Sequence, residues 1–127
     1  MSWQGYVDDN LLGSGKISRA AILGQQGGFW ASSQGYYPSP EEQHAVIDAY
    51  NNLEHIISSG LKLAGEKFFC LSANPRSIYL KSQTGGGAIV VKTKQAIIVA
   101  EYAAPVHSME AISLVEGLAD YLIAMSY

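Results

Sequence analysis

Apolar residues near the start of the chain recur at the three- and four-residue spacing of a helix. The residues of this stripe are Trp3, Tyr6, Val7 and Leu11. Ser2 precedes them as a helix cap, and the "GSG" at 13–15 ends the helical pattern. The spacing therefore predicts a short amphipathic helix at the N-terminus.

Short apolar runs predict the strands of a sheet. Two come early, "RAAILG" and "GFWASS", with Gly27 and Gly28 as a turn signal between them, and alternation sends Phe29 and Trp30 to opposite faces. Later runs follow in the order "LKLAG", "KFFCLSA", "RSIYLKS", "AIVVKT" and "QAIIVAEY". The connections between these later runs are short, so they can join only antiparallel neighbours, because a parallel crossover takes about a dozen residues or more. The last run is apolar in both alternating sets, which indicates a strand covered on both faces.

Two further helices are predicted after the first strands. In "SPEEQHAVIDAYNN", Ser39 is a cap, Pro40 suits the first turn and Glu42 completes a capping box. The last helix is expected from a cap at Ser108 to Tyr127. At about 100° per residue it carries two neighbouring apolar stripes. Ile112, Val115, Ala119 and Leu122 form one stripe, and Leu114, Leu118, Tyr121 and Met125 form the other.

The second stripe of the last helix indicates a second partner besides the sheet, since one stripe is sufficient for a helix that lies on a sheet. The obvious partner is the N-terminal helix, which is also amphipathic. Side-by-side packing of the two helices places Trp3 and Tyr6 near Tyr121 and Leu122, with Tyr127 at the trailing end.

Length and composition are those of one globular domain, residues 1–127, with 48% hydrophobic and 15% charged residues. The net charge of −3 gives no overall positive field, so nucleic acid is not an expected partner and any anion site is local. The single Cys70 excludes an intramolecular disulfide, and no Asn-x-Ser/Thr site occurs, which is typical of a reducing compartment. Neither a signal-peptide pattern nor a membrane-length apolar run is found, and we expect a cytoplasmic protein.

No motif in the chain indicates an enzyme. The "GSGKIS" segment lacks the first glycine of a phosphate-binding loop, because Asn10 stands there. The three histidines show no metal-ligand spacing with one another. The acidic pairs at 8–9 and 41–42 fit solvated or helix-start positions better than acid–base chemistry. We expect no catalytic centre, no metal and no cofactor.

Several segments, in this order and spacing, resemble the profilin family over essentially the whole chain. They are "MSWQGYVDDNLLGSGKI", "FWASS", "GEKFF", "RSIY", "KTKQAIIVAEY" and "LADYLIAMSY", and the similarity is greatest to fungal members. The resemblance implies an α/β fold of the α+β type, with a central antiparallel sheet flanked by helices on both faces. The N- and C-terminal helices then lie together on one face, an outline that the residue pattern independently favours.

The resemblance also implies a groove that binds polyproline. Polyproline II is extended and ordered before binding, and its apolar ridges suit a row of aromatic faces whose N–H and O–H groups donate to its free carbonyls. The positions that match the family's groove are Trp3, Tyr6, Trp30, Tyr121, Leu122 and Tyr127. From the residues alone, the alternative that Trp3 and Tyr6 merely wedge the terminal helices together is favoured.

A second surface, away from the groove, binds actin in the family. The positions that match it are Arg76, Lys81, Lys92, Lys94, Val106 and His107. Clustered cations on a net acidic chain form a local patch that suits carboxylates or phosphates. On the residues alone, solvated strand-edge lysines that discourage aggregation are an equal alternative.

By resemblance, the chain is expected to be a monomeric actin-monomer-binding protein of the cytoplasm and cytoskeleton. It would regulate actin polymerisation, promote nucleotide exchange on actin, and link actin to proline-rich segments of formins and other actin regulators. The resemblance adds phosphatidylinositol bisphosphate as a further partner. An alternative from another class is a non-catalytic dimeric scaffold or trafficking module of similar architecture.

Overall fold

The fold is organised on a seven-stranded sheet in which every neighbouring pair is antiparallel. The structure is a computed structural model that describes residues 2–127. Its strands are β1 (Arg19–Gly24), β2 (Phe29–Ser32), β3 (Leu61–Leu63), β4 (Glu66–Ala73), β5 (Ser77–Ser82), β6 (Gly87–Lys92) and β7 (Ala96–Tyr102). They lie in the order β2-β1-β7-β6-β5-β4-β3, so the early hairpin joins the later meander through β1 and β7. The predicted strands are confirmed.

Four helical regions cover the two faces of the sheet. At the N-terminus, α1 (Trp3–Gly5) continues through a π-helical turn (Tyr6–Leu11) and a 3-10 turn (Leu12–Ser14), and we call these together the N-terminal helical segment. The other helices are α2 (Pro40–Ala49), α3 (Leu53–Ser59) and α4 (Ser108–Ala124). The sequence pattern did not predict α3, which is short and fully buries only the side chain of Ile56.

The predicted caps are confirmed at the first two helices. Ser2 Oγ accepts a hydrogen bond from the Gly5 N–H at 3.0 Å. The capping box of α2 is complete, because the Glu42 N–H donates to Ser39 Oγ at 3.1 Å and the Ser39 N–H donates to a Glu42 carboxylate oxygen at 2.8 Å. Glu42 also accepts from the backbone N–H groups of Ala64 and Gly65, both at 2.9 Å, which ties the start of α2 to the β3–β4 turn.

The predicted cap of the last helix is wrong by one residue. Ser108 is the first helical residue, and His107 is the cap. His107 has the extended backbone of a cap, and its carbonyl accepts from the Glu110 and Ala111 N–H groups at 3.1 and 3.2 Å. Its side chain makes no capping hydrogen bond, so no side-chain signal marks the start of α4.

Two apolar cores lie on opposite faces of the sheet. The N-terminal helical segment and α4 share one core with the Ile22 and Ile98 side of the sheet, and α2 and α3 share the other with the Leu23 and Ile97 side. All seven residues of β7 are buried, which confirms that this strand is covered on both faces. The two terminal helices therefore lie together on one face, as predicted.

Candidate binding surfaces

Five aromatic side chains from separate elements meet at one end of the molecule. This aromatic cluster consists of Trp3, Tyr6, Trp30, Tyr121 and Tyr127. The ring centre of Trp3 lies 4.8 Å from Trp30, 5.3 Å from Tyr127 and 5.8 Å from Tyr6, and Tyr6 lies 6.1 Å from Tyr121. These tilted and edge-to-face contacts are favourable for aromatic rings and hold the cluster as one continuous row.

Most of the row remains open to solvent. The exposed fractions are 50% for Tyr121, 41% for Tyr127 and 38% for Trp30. Trp3 is half-buried, and Tyr6 is buried, with an exposed fraction of 7%. Leu122 was expected in this surface and is instead completely buried in the core between α4 and the sheet. Consecutive residues of a helix point about 100° apart, so α4 turns Leu122 towards the sheet when it presents Tyr121 to solvent.

The first tryptophan is held in place by contacts between the N-terminal helical segment and β2. The Ser2 cap fixes the start of α1, and the Gln4 side-chain amide donates to the Ser32 carbonyl at 2.8 Å. Trp3 also packs against the core shared with α4. An aromatic residue close to the chain end therefore stays ordered because both its backbone and its ring are anchored.

The ring of Trp30 lies directly against the backbone of Gly24 on the neighbouring strand. A Cβ atom at Gly24 would stand 2.7 Å from Trp30 Nε1 and 3.1 Å from its Cε2. Since real contacts of this kind are about 3.5–4.0 Å, only glycine leaves room for the indole in this position. Gly24 carries no separate signal in the sequence, because the turn between the first two strands is marked by Gly27 and Gly28.

The last residue is fixed by the β6–β7 turn, residues 93–95. The Tyr127 carbonyl oxygen accepts from the Gln95 N–H at 2.5 Å and from Thr93 Oγ1 at 2.9 Å, and the Tyr127 N–H donates to the Leu122 carbonyl at 2.8 Å. The chain end that follows α4 thus places its ring against Trp3. Burial and the neighbouring Tyr121 phenol raise the pKa of Tyr6.

Three of the positions expected on the second surface do meet. Lys81, Val106 and His107 line a depression of about 270 Å³, together with Leu71 and Tyr102. Leu71 is 61% exposed, and Phe69, which pairs with Lys81 across β4 and β5, is also exposed. We call Phe69, Leu71, Lys81, Val106 and His107 the second surface.

Two of the three apolar members of the second surface, Phe69 and Leu71, were not predicted from the sequence. Alternation in "KFFCLSA" puts Phe69 and Leu71 on the face opposite the buried Phe68, so the signal was available. A bulge between Cys70 and Ser72 leaves Leu71 without a partner on β5. Bulges redirect a side chain and are common beside functional sites.

The remaining basic residues do not join this surface, so the single basic patch expected from the sequence is corrected. The Arg76 guanidinium donates to Glu116 at 3.1 Å and to Asp120 at 2.7 Å, and the hydrogen bond with Asp120 raises the pKa of Arg76. The Lys92 ammonium lies 4.9 Å from the centre of the Tyr50 ring. Lys81 pairs with Gly87, at the opposite end of β6 from Lys92, because strand direction separates the residues.

Lys94 lies beside the aromatic cluster instead. It belongs to the β6–β7 turn and lines a depression of about 350 Å³ with Trp30 and the side chains of Gln25, Gln26 and Gln95. Its expected place with the other basic residues is therefore not supported by the geometry.

Neither a metal cluster nor a membrane-spanning helix is found in the described part of the chain. Within residues 2–127, no three His, Cys, Asp or Glu side chains are grouped so as to hold a metal ion. None of the helices in that range has the length and apolar character needed to cross a bilayer.

Burial raises the pKa of the Cys70 thiol, which favours an unreactive side chain.

Fold and surfaces together define a class of protein: a small α+β domain that presents an aromatic row where its two termini meet. The Profilin family profile matches residues 1–127, and the chain belongs to the profilin family. Profilin-1A of Acanthamoeba castellanii is 43% identical over 127 residues, which cover 100% of both chains. The predicted family is confirmed.

Solved structures share the same fold. A Schizosaccharomyces pombe profilin structure is 42% identical, covers 99% of this chain and 100% of its own, and superposes with a TM-score of 0.95. Mouse Profilin IIa in complex with a double repeat from the FH1 domain of mDia1 is 24% identical, with full coverage of both chains and a TM-score of 0.82. The mouse structure shows a shared fold, and the predicted α+β architecture is confirmed.

Proposed function

We propose that this profilin-family chain binds proline-rich segments on the aromatic cluster and monomeric actin on the second surface. In this way it regulates actin polymerisation in the cytoplasm and promotes nucleotide exchange on actin, as a binding protein with no catalytic centre of its own. Formins are the proline-rich partners that we favour. The two surfaces act independently, so one molecule carries both partners at once.

The observation that supports the proposal most strongly is the open row of rings. Tyr121, Tyr6, Trp3 and Trp30 follow one another with centres 4.8–6.1 Å apart. Two residues of a polyproline II helix advance by about 6 Å, which is close to the spacing of the rings. Tyr121, Trp3 and Trp30, which are exposed or half-buried, are the rings of this series that can contact the ligand. The buried Tyr6 packs between Trp3 and Tyr121. A row of this length accommodates about six residues. Indole N–H and phenol O–H groups along the row are donors for the ligand's free carbonyls.

The alternative that the rings only join the terminal helices accounts for part of the geometry. Tyr6 is buried and does pack against Tyr121. This alternative does not account for the exposure of Tyr121, Tyr127 and Trp30. A large aromatic side chain left in water forgoes about 2–3 kcal/mol of burial free energy. A contiguous exposed aromatic patch is typical of a binding site.

The second surface has the composition of a protein interface. Its apolar members, Phe69, Leu71 and Val106, adjoin the charged side chain of Lys81, which matches an apolar core with a polar rim. It lies at the end of the sheet where Gly87 pairs with Tyr102, away from the β6–β7 turn beside Trp30. Family membership supports actin as its partner.

Phosphatidylinositol bisphosphate is a weaker candidate. Its binding depends on summed positive charge near the membrane surface. Arg76 is already paired with Glu116 and Asp120. Lys81 of β5 pairs with Gly87, at the end of β6 opposite to Lys92. The cations therefore do not combine into one field.

A pair of variants tests the two surfaces against each other. Trp3→Ala should weaken decaproline binding at least about thirtyfold, the loss typical of an aromatic anchor, and leave actin binding within about twofold. Leu71→Asp should do the reverse, because it places a charge in the second surface only. Both affinities are measured by isothermal titration calorimetry, with decaproline and with monomeric actin.

Tyr37→Ala is the matched control, since Tyr37 is an exposed aromatic residue outside both surfaces. Undiminished decaproline affinity in Trp3→Ala would refute the aromatic cluster as the proline site. Light scattering on the same samples separates the proposal from the scaffold alternative, for which a tight homodimer without actin binding would be found.

A further inference from the structure

We propose that Lys94 extends the aromatic cluster into a subsite for an acidic residue that flanks the proline run of a partner. The inference rests on the proposed function and adds a preference among proline-rich ligands. It concerns a lysine that the sequence had grouped with the second surface.

The position of Lys94 adjoins the aromatic cluster. Lys94 and Trp30 line the same depression, which continues the row of rings beyond Trp30. A ligand that follows the row past the indole therefore enters the depression next. The remaining long side chains that line it are the neutral amides of Gln25, Gln26 and Gln95.

The charge of Lys94 is not neutralised by an ion pair with any carboxylate of residues 2–127. Three other cations are paired with carboxylates, Lys16 with Glu110, Arg19 with Glu101 and Arg76 with Glu116. Among the described cations without such a pair, Lys94 is the one that shares a depression with a ring of the aromatic cluster. The nearby Tyr127 carbonyl oxygen accepts from Thr93 and Gln95.

The turn that carries Lys94 is held by hydrogen bonds to β7 and to the β1–β2 turn. The Thr93 N–H donates to the Ala96 carbonyl at 2.9 Å, and the Gln25 amide donates to the Thr93 carbonyl at 2.7 Å. Ala96 in turn pairs with Gly24, the residue against which Trp30 lies. The backbone of Lys94 is therefore fixed relative to the indole, and the only freedom is that of its own side chain.

These observations identify the ligand by its chemistry: a proline-rich segment with Asp or Glu a few residues beyond the proline that contacts Trp30. An ion pair in this exposed position is weak and screened by salt. We expect it to strengthen binding about two- to fivefold at low ionic strength.

The test compares decaproline peptides that carry a pair of glutamates or a pair of glutamines at either end. Isothermal titration at low and high ionic strength is done with the unmodified protein, with Lys94→Gln and with Lys92→Gln. Lys92→Gln is the matched control, because it removes the same charge from the same end of β6 while leaving Lys94 in place.

One glutamate-flanked peptide should bind the unmodified protein about two- to fivefold tighter than its glutamine counterpart. The gain should vanish in Lys94→Gln, persist in Lys92→Gln and disappear at high ionic strength. Equal binding of the paired peptides, or a gain that survives in Lys94→Gln, overturns the inference while the proline site stands. Failure of every peptide to bind overturns the proposed function itself.

Discussion

Replacement of Gly24 by alanine tests how the position of one indole governs ligand binding. Gly24 has no left-handed backbone conformation, so an alanine fits its strand without backbone strain. The added methyl group would stand 2.7 Å from Trp30 Nε1 and 3.3 Å from the Gly27 carbonyl oxygen. Because Trp30 is partly exposed, its ring moves outward by about 1 Å to restore an ordinary contact.

The size of the effect follows from that displacement. A gap of about 0.5–1 Å removes a quarter to a half of a van der Waals contact. An aromatic anchor contributes about 2 kcal/mol or more to binding, so the loss is about 0.5–1 kcal/mol. We expect decaproline affinity to fall about two- to fivefold. The free energy of unfolding should change by less than about 1 kcal/mol, since the displaced ring can move into solvent.

Two measurements check this expectation. Isothermal titration with decaproline gives the affinity, and urea unfolding gives the stability. In a Trp3→Phe background Trp30 is the sole tryptophan, so its emission reports directly on the indole that the methyl group displaces. Gly117→Ala serves as the control for Trp30 emission, because no atom lies within 4 Å of the added methyl group. It should itself raise the free energy of unfolding by about 1 kcal/mol, since alanine is favoured over glycine inside a helix. Tyr37→Ala is the control for decaproline affinity. Unchanged affinity together with unchanged Trp30 emission in Gly24→Ala would show that the indole does not depend on Gly24.

Two further predictions concern stability. Burial opposes the charge on Glu42, but the N–H groups of Gly65, Ser39 and Ala64 outweigh it and lower the pKa of this carboxyl. The contribution of Glu42 to stability is therefore present above the pKa that this carboxyl has in the unfolded chain, and it is lost as the pH falls. Glu42→Gln should flatten the decline of the free energy of unfolding, measured in urea, between about pH 5 and pH 3. An unchanged decline in the variant contradicts this. Glu116 accepts from Arg76, Ser77 and Tyr79, and Glu116→Ala should lower the free energy of unfolding by about 1–3 kcal/mol in urea titrations. A change below about 0.5 kcal/mol would show that these donors find other partners.

The elements that the sequence predicted well are those with local signals. Turn residues separate the strands, and the Ser39–Glu42 capping box marks the start of α2. The two apolar stripes of α4 indicated its double packing, which the structure bears out. In contrast, the pairing of β1 with β7 joins residues about 75 positions apart and leaves no local signal.

The parts of the site that the sequence could not give depend on orientation and pairing in space. Periodicity finds the stripes of α4 but does not decide which of Tyr121 and Leu122 faces solvent, because one residue rotates the helix by about 100°. Arg76 and Lys81 are close in sequence, yet they stand at opposite ends of β5. The engagement of Arg76 by Asp120 is likewise a long-range contact, and only the folded chain shows it.

The buried strand β7 fixes the distance between the aromatic cluster and the second surface. Its ends lie near the β6–β7 turn and near the second surface, and at about 3.3 Å per residue they are about 20 Å apart. With the proposed partners bound, a proline-rich tether on the rings would keep the protein on the second surface at a set distance, which would raise the effective concentration of that protein near any site the tether can reach. Tether length, more than the affinity of either surface, would then decide how fast the cargo is delivered.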